Sequence, residues 1–332
     1  MKICVLGAGA WGTALAIHLS KLHQTTLWAR NSGHVSGMKK AQSNPLYLGE
    51  FKFPPLLDIQ ENLKSALTKV DLIVCAVPTS GFRQILKLIN EINQSAPVIW
   101  ANKGLEQGSA KLPHEIAFEE LGDPIKTNRH WGVVSGPSFA AELVRSLPTA
   151  LTLAATNQSI AILAAKIFHH KNLRVYTSND VVGVSVAGAL KNVIAIAAGI
   201  SDGMGFGNNA RAALITRGLA EISRFGDYLG ANQETFRGLA GAGDLVLTCT
   251  GEYSRNREVG LQLAKGKPLE EILKNLGHVA EGVYTATELM SRIKNLKIEM
   301  PITSEVNKVI ELGKSPKDAV LDLLGRSIKP ES

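Results

Sequence analysis

The sequence is short of the features that mark secreted, metal-binding or nucleic-acid-binding chains. Three cysteines in 332 residues, Cys4, Cys75 and Cys249, lie in apolar segments with no metal-like spacing. So sparse and odd a set builds no disulfide framework, and a reducing, cytoplasmic setting is expected. Aromatics make up 5% of residues and charged groups 20%, against 45% hydrophobic. That balance excludes a disordered or fibrous chain, and the length allows two domains with separate cores. Basic residues outnumber acidic ones, 36 to 29, for a net charge of +7. They are scattered, without a five-residue block or interleaved aromatics, which argues against nucleic acid and for a site taking small anions. None of the histidines has metal-ligand spacing: His18 falls in a helical pattern and His169 and His170 in a polar turn. No metal is expected. Long apolar runs are also scarce. The opening "MKICVLGAGAWGTALAIHLSK" begins like a signal peptide, yet Gly7, Gly9 and Gly12 interrupt it and no convincing cleavage site follows. Neither a signal sequence nor an integral membrane segment is expected.

What is present divides into two halves. Residues 1–180 alternate short β-like runs with helical patterns: 2–6, 25–29, 71–77, 97–101, 131–134, 150–154 and 174–177 read as strands, 11–22 and 82–92 as helices. Apolar strands separated by helices predict a doubly wound, mostly parallel sheet covered on both faces. Residues 181–332 read as an all-helical domain, with periodic segments at 181–200, 209–229, 254–265, 281–294 and 301–312. Loop breaks are expected at "SDGMGFGNN", "GLAGAGDL" and "KNLKIEMP".

"KICVLGAGAWGTALAIHL" places G-x-G-x-x-G after a strand and at the start of a helix. Gly7 permits the tight turn, Gly9 lets backbone approach a pyrophosphate, and Gly12 lets helix and strand pack. The helix N-terminus adds unpaired N–H groups and a positive dipole end. Dinucleotide binding follows. An NAD site usually carries an acid at the end of the second strand for the ribose 2′-OH, but "TTLWARNSGH" puts Arg30 there. A guanidinium suits a 2′-phosphate, so NADP(H) is favoured and NAD(H) stays open; a solvated loop arginine is the plain alternative.

Four further stretches carry polar groups suited to chemistry. "WANKGLE" ends a strand with Asn102 and Lys103; "VVSGPSFAAEL" places Gly136 and Ser138 in a turn before a helix beginning near Phe139. "GLAGAGDLVLTCT" holds Asp244 in a glycine-rich turn, and "GEYSRNREVG" offers Ser254 as N-cap with Arg255 and Asn256 in the first helical turn. Each has an ordinary reading: a surface lysine, serines that only cap, an acid that only holds its turn, Arg255 paired with Glu258. Lys191 is harder to dismiss. "GALKNVIAIAAG" surrounds it at helical spacing with Ala187, Gly188, Ile194 and Ala195, and a buried ammonium needs a partner or substrate. A desolvated lysine in the cleft between the domains would protonate the alkoxide formed when a hydride reaches a carbonyl, with Asp244 orienting it and Lys103 adding charge.

With these residues assembled, the chain resembles the bacterial, soluble, NAD(P)-dependent glycerol-3-phosphate dehydrogenases. The resemblance rests on "GAGAWGTALA", "ANKGLE", "SGPSFAAE", "VAGALKNVIAIAAGISDGMGFGNNARAALITRGLAE", "GLAGAGDLVLTCTGEYSRNR" and "EGVYTATE", in the family's order over nearly the whole chain. It implies reversible reduction of dihydroxyacetone phosphate to sn-glycerol 3-phosphate, supplying phospholipid synthesis. It implies Lys191 as the proton acceptor and Lys103, Gly136, Ser138, Lys191, Asp244, Ser254, Arg255 and Asn256 as substrate contacts. Cofactor contacts by the same resemblance are Gly7, Gly9, Ala10, Trp11, Gly12, Arg30, Lys103, Ala140, Arg255 and Glu281. The family often has serine where Ala10 stands, removing one pyrophosphate contact, and histidine or arginine at Arg30, which leaves strict NADP preference open.

Two other readings compete. A 3-hydroxyacid or ketopantoate-type dehydrogenase joins similar domains but acts on carboxylates and has no need of the "SRN" helix start. A non-catalytic NADPH-binding regulator has no need of a buried Lys191. The oligomeric state is open, a homodimer being one option.

Overall fold

The computed structural model describes residues 1–92, 95–277 and 279–327. The apolar runs of the first half pair into a single sheet whose strands are β1 (Lys2–Leu6), β2 (Gln24–Trp28), β3 (Leu57–Gln60), β4 (Leu72–Cys75), β5 (Val98–Trp100), β6 (Trp131–Ser135), β7 (Thr149–Ala155) and β8 (Leu173–Ser178). Their order is β3-β2-β1-β4-β5-β6-β7-β8. Every pairing is parallel except β6 with β7, where Gly132 faces Ala155 and Ser135 faces Thr152. Strands such as β4 and β5 are buried at every position, as continuous apolar runs covered on both faces must be. The expected doubly wound, mostly parallel fold is what forms. The direction of chain progression reverses between β1 and β4, the switch point at which such sheets bind ligands along the strands' carboxyl ends.

Strand β3 is absent from the sequence reading. It has four residues, of which only Ile59 is buried, and it sits on the sheet edge after Pro54 and Pro55. So short and polar an edge strand leaves little periodicity to read.

The second half is helical, as expected, with the long segments at Val181–Gly203, Gly207–Tyr228, Arg255–Ala264, Glu281–Ile293 and Pro301–Leu312. Helices Gln233–Arg237, Leu269–Leu276 and Pro316–Leu324 are additional. "GLAGAGDL" is not the expected loop: Leu239–Gly243 forms a π-helical turn running directly into the Asp244–Thr250 helix. The glycines there serve packing, since a Cβ on Gly241 would lie 2.1 Å from the Phe236 carbonyl oxygen. Close approach overrides glycine's poor helix propensity.

The chain divides into two compact units, Met1–Lys103 with Pro113–Ser185, and Gly104–Leu112 with Val186–Ser332. The short 104–112 segment is fastened to the Glu281–Ile293 helix: Leu105 N–H donates to Thr285 Oγ1 (3.3 Å), Gly108 N–H to Glu288 Oε1 (2.8 Å), and Arg292 Nη1 to the Ala110 carbonyl (2.9 Å). Among the described helices one, Val181–Gly203, is long and apolar enough to cross a membrane, but 94% of its most apolar window is buried. It is a core helix: Val184, Val186, Val193, Ile194 and Ile196 are all 0% exposed, and each such burial contributes about 1.5–3 kcal/mol.

Candidate functional site

In the sheet unit, the residues singled out by sequence gather at the carboxyl ends of parallel strands. Gly7 follows β1, Arg30 lies two residues past β2, Lys103 three past β5, and Gly136 directly follows β6. Gly7 has φ +107°, and a Cβ on it would press on the Ala76 and Val77 backbone at 2.9 Å. A Cβ on Gly12 would come within 1.9 Å of the Gly7 carbonyl oxygen. Both glycines are steric necessities of the fold. Gly9 differs: a Cβ there meets nothing within 4 Å, and Gly9 caps the Ala10–Leu19 helix without any side-chain hydrogen bond. Open space beside an uncapped helix start is what a pyrophosphate requires. Ala10, Trp11 and Ala140 are half-buried, with Trp11 and Ala140 packed on the sheet's hydrophobic core.

This loop has a brace that sequence reasoning missed. Asn44, fully buried, donates from Nδ2 to the Ala8 carbonyl (2.9 Å) and to Thr13 Oγ1 (2.8 Å), while its Oδ1 meets His34 Nε2 at 2.9 Å. A lone asparagine in a loop gives no signal of such reach. The Gly136–Ser138 turn is also local: Gly136 has φ +140° and Ser138 Oγ donates to the Gly136 carbonyl (3.0 Å). Ser138 therefore stiffens the turn, and the Ala140–Val144 helix has Phe139 as its N-cap. Arg30 is exposed and Lys103 half-buried. Beside Lys103, Asn102 is 8% exposed, and neither polar atom of its side chain has a hydrogen-bond partner among the described residues. A buried amide left unmatched at the ligand edge of a sheet fits a site completed by a bound polar group.

The helical unit carries the buried charge. Lys191, 7% exposed, donates from Nζ to Asp244 Oδ1 (2.5 Å) and to Thr248 Oγ1 (2.7 Å). Thr248 in turn donates to the Asp244 carbonyl at 2.6 Å. Asp244 is 1% exposed, so the ammonium and carboxylate compensate one another out of water. Asp244 opens a helix instead of holding a turn, and Thr248, one turn on, reaches the same ammonium. That i,i+4 relation was the available signal for Thr248, hidden while the segment reads as a loop. Burial pushes the neighbouring Cys249 thiol up to about 12, so Cys249 is an inert thiol there.

Ser254 is the N-cap of the Arg255–Ala264 helix, its Oγ accepting from Arg257 N–H (3.3 Å). Arg255, at the first helical position, is exposed. Asn256 is buried and joins elements: its Nδ2 donates to Asn192 Oδ1 (3.0 Å) and its Oδ1 accepts from Gly282 N–H (3.0 Å), next to the half-buried Glu281. The helical unit thus holds two hydrogen-bonded groups, Lys191 with Asp244 and Thr248, and Asn192 with Asn256 and the Gly282 N–H, on helices that Lys191 and Asn192 join as sequence neighbours. Among the described residues no histidine, cysteine and acid cluster could hold a metal ion.

The chain is similar to known proteins along nearly its whole length. Residues 2–161 match the NAD-dependent glycerol-3-phosphate dehydrogenase N-terminus and residues 180–321 the C-terminus of the same family. The chain is 61% identical to the glycerol-3-phosphate dehydrogenase (NAD(P)+) of Methylobacillus flagellatus, covering 100% of both chains, and 49% identical to that of Aromatoleum aromaticum, again covering 100% of both. The crystal structure of glycerol-3-phosphate dehydrogenase from Coxiella burnetii superposes with a TM-score of 0.93 at 40% identity, covering 98% of this chain and 99% of that one. A ketopantoate reductase from Ralstonia eutropha shares only the fold, at 16% identity and TM-score 0.55, covering 96% of this chain and 100% of that one. The chain belongs to the NAD-dependent glycerol-3-phosphate dehydrogenase family.

Proposed function

We propose that this chain carries out its family's reaction, NAD(P)H-dependent reversible reduction of dihydroxyacetone phosphate to glycerol 3-phosphate, with Lys191 as the proton donor and acceptor. The observation that carries the reading is the buried Lys191–Asp244–Thr248 cluster, a cation held by two oriented partners in a mostly apolar helix. Bound NAD(P)H supplies the hydride. Its pyrophosphate would rest on the Gly7–Gly12 loop and the start of the Ala10–Leu19 helix, where Gly9 leaves room. Lys191 Nζ stabilises the charge developing on the carbonyl oxygen and passes its proton there. Asp244 and Thr248 fix where that proton points, and the carboxylate receives the positive field again when Lys191 is reprotonated.

Arg255 and Asn256 take the substrate phosphate, supported by their place in the first turn of a capped helix, and Lys103 adds a second cation. Arg30 favours NADP(H) through its 2′-phosphate, supported by its position just past β2 where an acid would favour NAD(H). The product would feed glycerophospholipid synthesis in the cytoplasm. The test is steady-state oxidation of NADPH and NADH with dihydroxyacetone phosphate beside a panel of keto acids. Turnover confined to dihydroxyacetone phosphate supports the reading; preference for a carboxylate substrate, or binding of NADPH without turnover, would remove it.

A further inference from the structure

One ion cluster of the helical unit plays no part in the chemistry above. Asp202 lies at the end of the Val181–Gly203 helix, and its side chain is 9% exposed. Arg257 grips one of its oxygens twice, through Nε (2.9 Å) and Nη2 (2.7 Å) to Oδ2. Arg211, in the first turns of the Gly207–Tyr228 helix, adds Nη1 to both oxygens at 3.1 and 3.0 Å and uses Nη2 on Asn208 Oδ1 at 2.5 Å. Three segments therefore meet on one carboxylate.

The segments matter because of what else they carry. Asp202 shares its helix with Lys191, eleven residues or about 16 Å along the axis. Arg257 shares the first turn of its helix with Arg255 and Asn256, and its own N–H is held by Ser254 Oγ. The two helices approach without side chains between them: a Cβ on Gly199 would lie 2.0 Å from the Arg257 carbonyl oxygen, and one on Gly260 2.1 Å from the Ile196 carbonyl oxygen. Backbone contact sets their separation, and the Asn256 Nδ2–Asn192 Oδ1 hydrogen bond (3.0 Å) ties them at one point beside Lys191, about which they could still pivot. The Asp202 carboxylate, held by two Arg257 donors on Oδ2 and by Arg211 Nη1 across both oxygens, supplies a second, separate tie that removes the pivot.

We propose that Asp202 is a positioning residue for substrate recognition: acting through Arg257, it fixes the register of the Arg255–Asn256 turn against Lys191, so that the phosphate and the reacting carbonyl are held at the spacing of dihydroxyacetone phosphate. The proposal rests on the reading of Arg255 and Asn256 as phosphate ligands.

The test compares Asp202→Asn and Arg257→Lys with wild type in thermal melts, in steady-state kinetics with dihydroxyacetone phosphate, and in competitive inhibition by inorganic phosphate. Arg255→Ala serves as the benchmark for phosphate binding. The expected result for Asp202→Asn is a rise of about tenfold in KM and in the phosphate inhibition constant together, with kcat changed less than about threefold. Arg257→Lys keeps the charge and loses the two-point hold, so it shifts the same two constants in the same direction. Unchanged KM in both variants, or a fall in kcat that dominates the change in KM, would overturn the proposal. So would failure of both to fold, since the network would then serve the fold alone. If Arg255→Ala leaves phosphate inhibition intact, the phosphate reading itself fails; if that variant loses inhibition and the Asp202 and Arg257 variants do not, only the positioning role fails.

Discussion

The sheet unit and the helical unit prepare for ligands in opposite ways. At the carboxyl edge of the sheet, the features are mostly absences: no side chain on Gly9, no side-chain cap on the Ala10–Leu19 helix, no partner for the Asn102 side-chain amide among the described residues. On the helical unit the groups are already satisfied, Lys191 by Asp244 and Thr248, Asn256 by Asn192 and the Gly282 N–H. Backbone donors beside empty space receive a ligand at little cost to the apo fold. A buried ammonium cannot wait unpartnered, because its desolvation would cost several kcal/mol. The two sites should therefore respond differently to substitution: loss of function without loss of stability in the sheet unit, coupled losses in the helical one.

The largest effect is expected from Lys191→Met. kcat should fall at least ~10²-fold, since a general acid is removed together with a stabilising charge. The substitution should also cost stability. Asp244 at 1% exposure is left without its cation, and breaking a buried pair from one side costs about 3–5 kcal/mol before the carboxyl takes up a proton. Thermal melts should show the loss, and the double variant Lys191→Met with Asp244→Asn should recover much of it without recovering kcat. Near-normal turnover in a folded Lys191→Met protein would defeat the mechanism; equal melting points for the single and double variants would defeat the coupling.

The glycine loop offers the contrasting pair. Gly9→Ala places a methyl where nothing lies within 4 Å, so the melting temperature should hold while NADPH and NADH affinity each fall about tenfold. Gly12→Ala places one 1.9 Å from the Gly7 carbonyl oxygen and should cost about 1–3 kcal/mol of stability through backbone displacement. Fluorescence titration with each cofactor, beside melts, separates the two. A Gly9→Ala protein that binds both cofactors normally would show that Gly9's open space is not where the pyrophosphate rests.

The same contrast explains what was legible in the sequence. Absences are written plainly: three glycines at fixed spacing between a strand and a helix require no tertiary knowledge. So is a misplaced charge, which is why Lys191 stands out in "GALKNVIAIAAG". Its partners were harder to read. Asp244 was visible as an acid but not as a helix start, because the glycines that permit close packing at Gly241 look like those that make a loop. Thr248 was hidden with it. Asn44 and Asp202 act across 31 and 55 residues of sequence, distances over which no local periodicity carries information. Strand β3 fails for the opposite reason, its pattern being too short and too exposed to differ from a loop.

Arg30→Ala tests the outer rim of the sheet unit. Arg30 is exposed, so its pairing with a 2′-phosphate is partly screened by solvent. The NADPH KM should rise several-fold and the NADH KM stay nearly unchanged, with no change in melting temperature. An equal loss with both cofactors would take Arg30 away from the 2′-phosphate and leave cofactor preference to another group.

The smallest effect sharpens the comparison from the other side, by asking whether the sheet unit holds any buried group whose charge state matters. His18, 5% exposed at the end of the helix that begins with the glycine loop, donates from Nε2 to the Phe168 carbonyl at 2.8 Å. Burial pushes its pKa from 6.5 down to about 4, outweighing the carbonyl contact, and the nearby Lys21, His170 and His23 push the same way. Well above pH 6.5 neither folded nor unfolded chain protonates it, and stability is unaffected. As pH falls through 6.5 the unfolded chain takes up a proton that the folded chain refuses until about pH 4, so stability drops across that window. Between pH 7 and pH 6 the share due to His18 is about 0.7 kcal/mol. Glutamine at this position keeps an N–H for the carbonyl and does not titrate, so His18→Gln should melt with a shallower pH dependence than wild type from pH 7 to pH 5. His23 and His170, whose pKa values are also lowered, retain their own smaller slopes in the variant. Parallel curves for His18→Gln and wild type would mean that His18 is charged or solvated in the folded chain, and that the sheet unit contains no buried group of the kind the helical unit depends on.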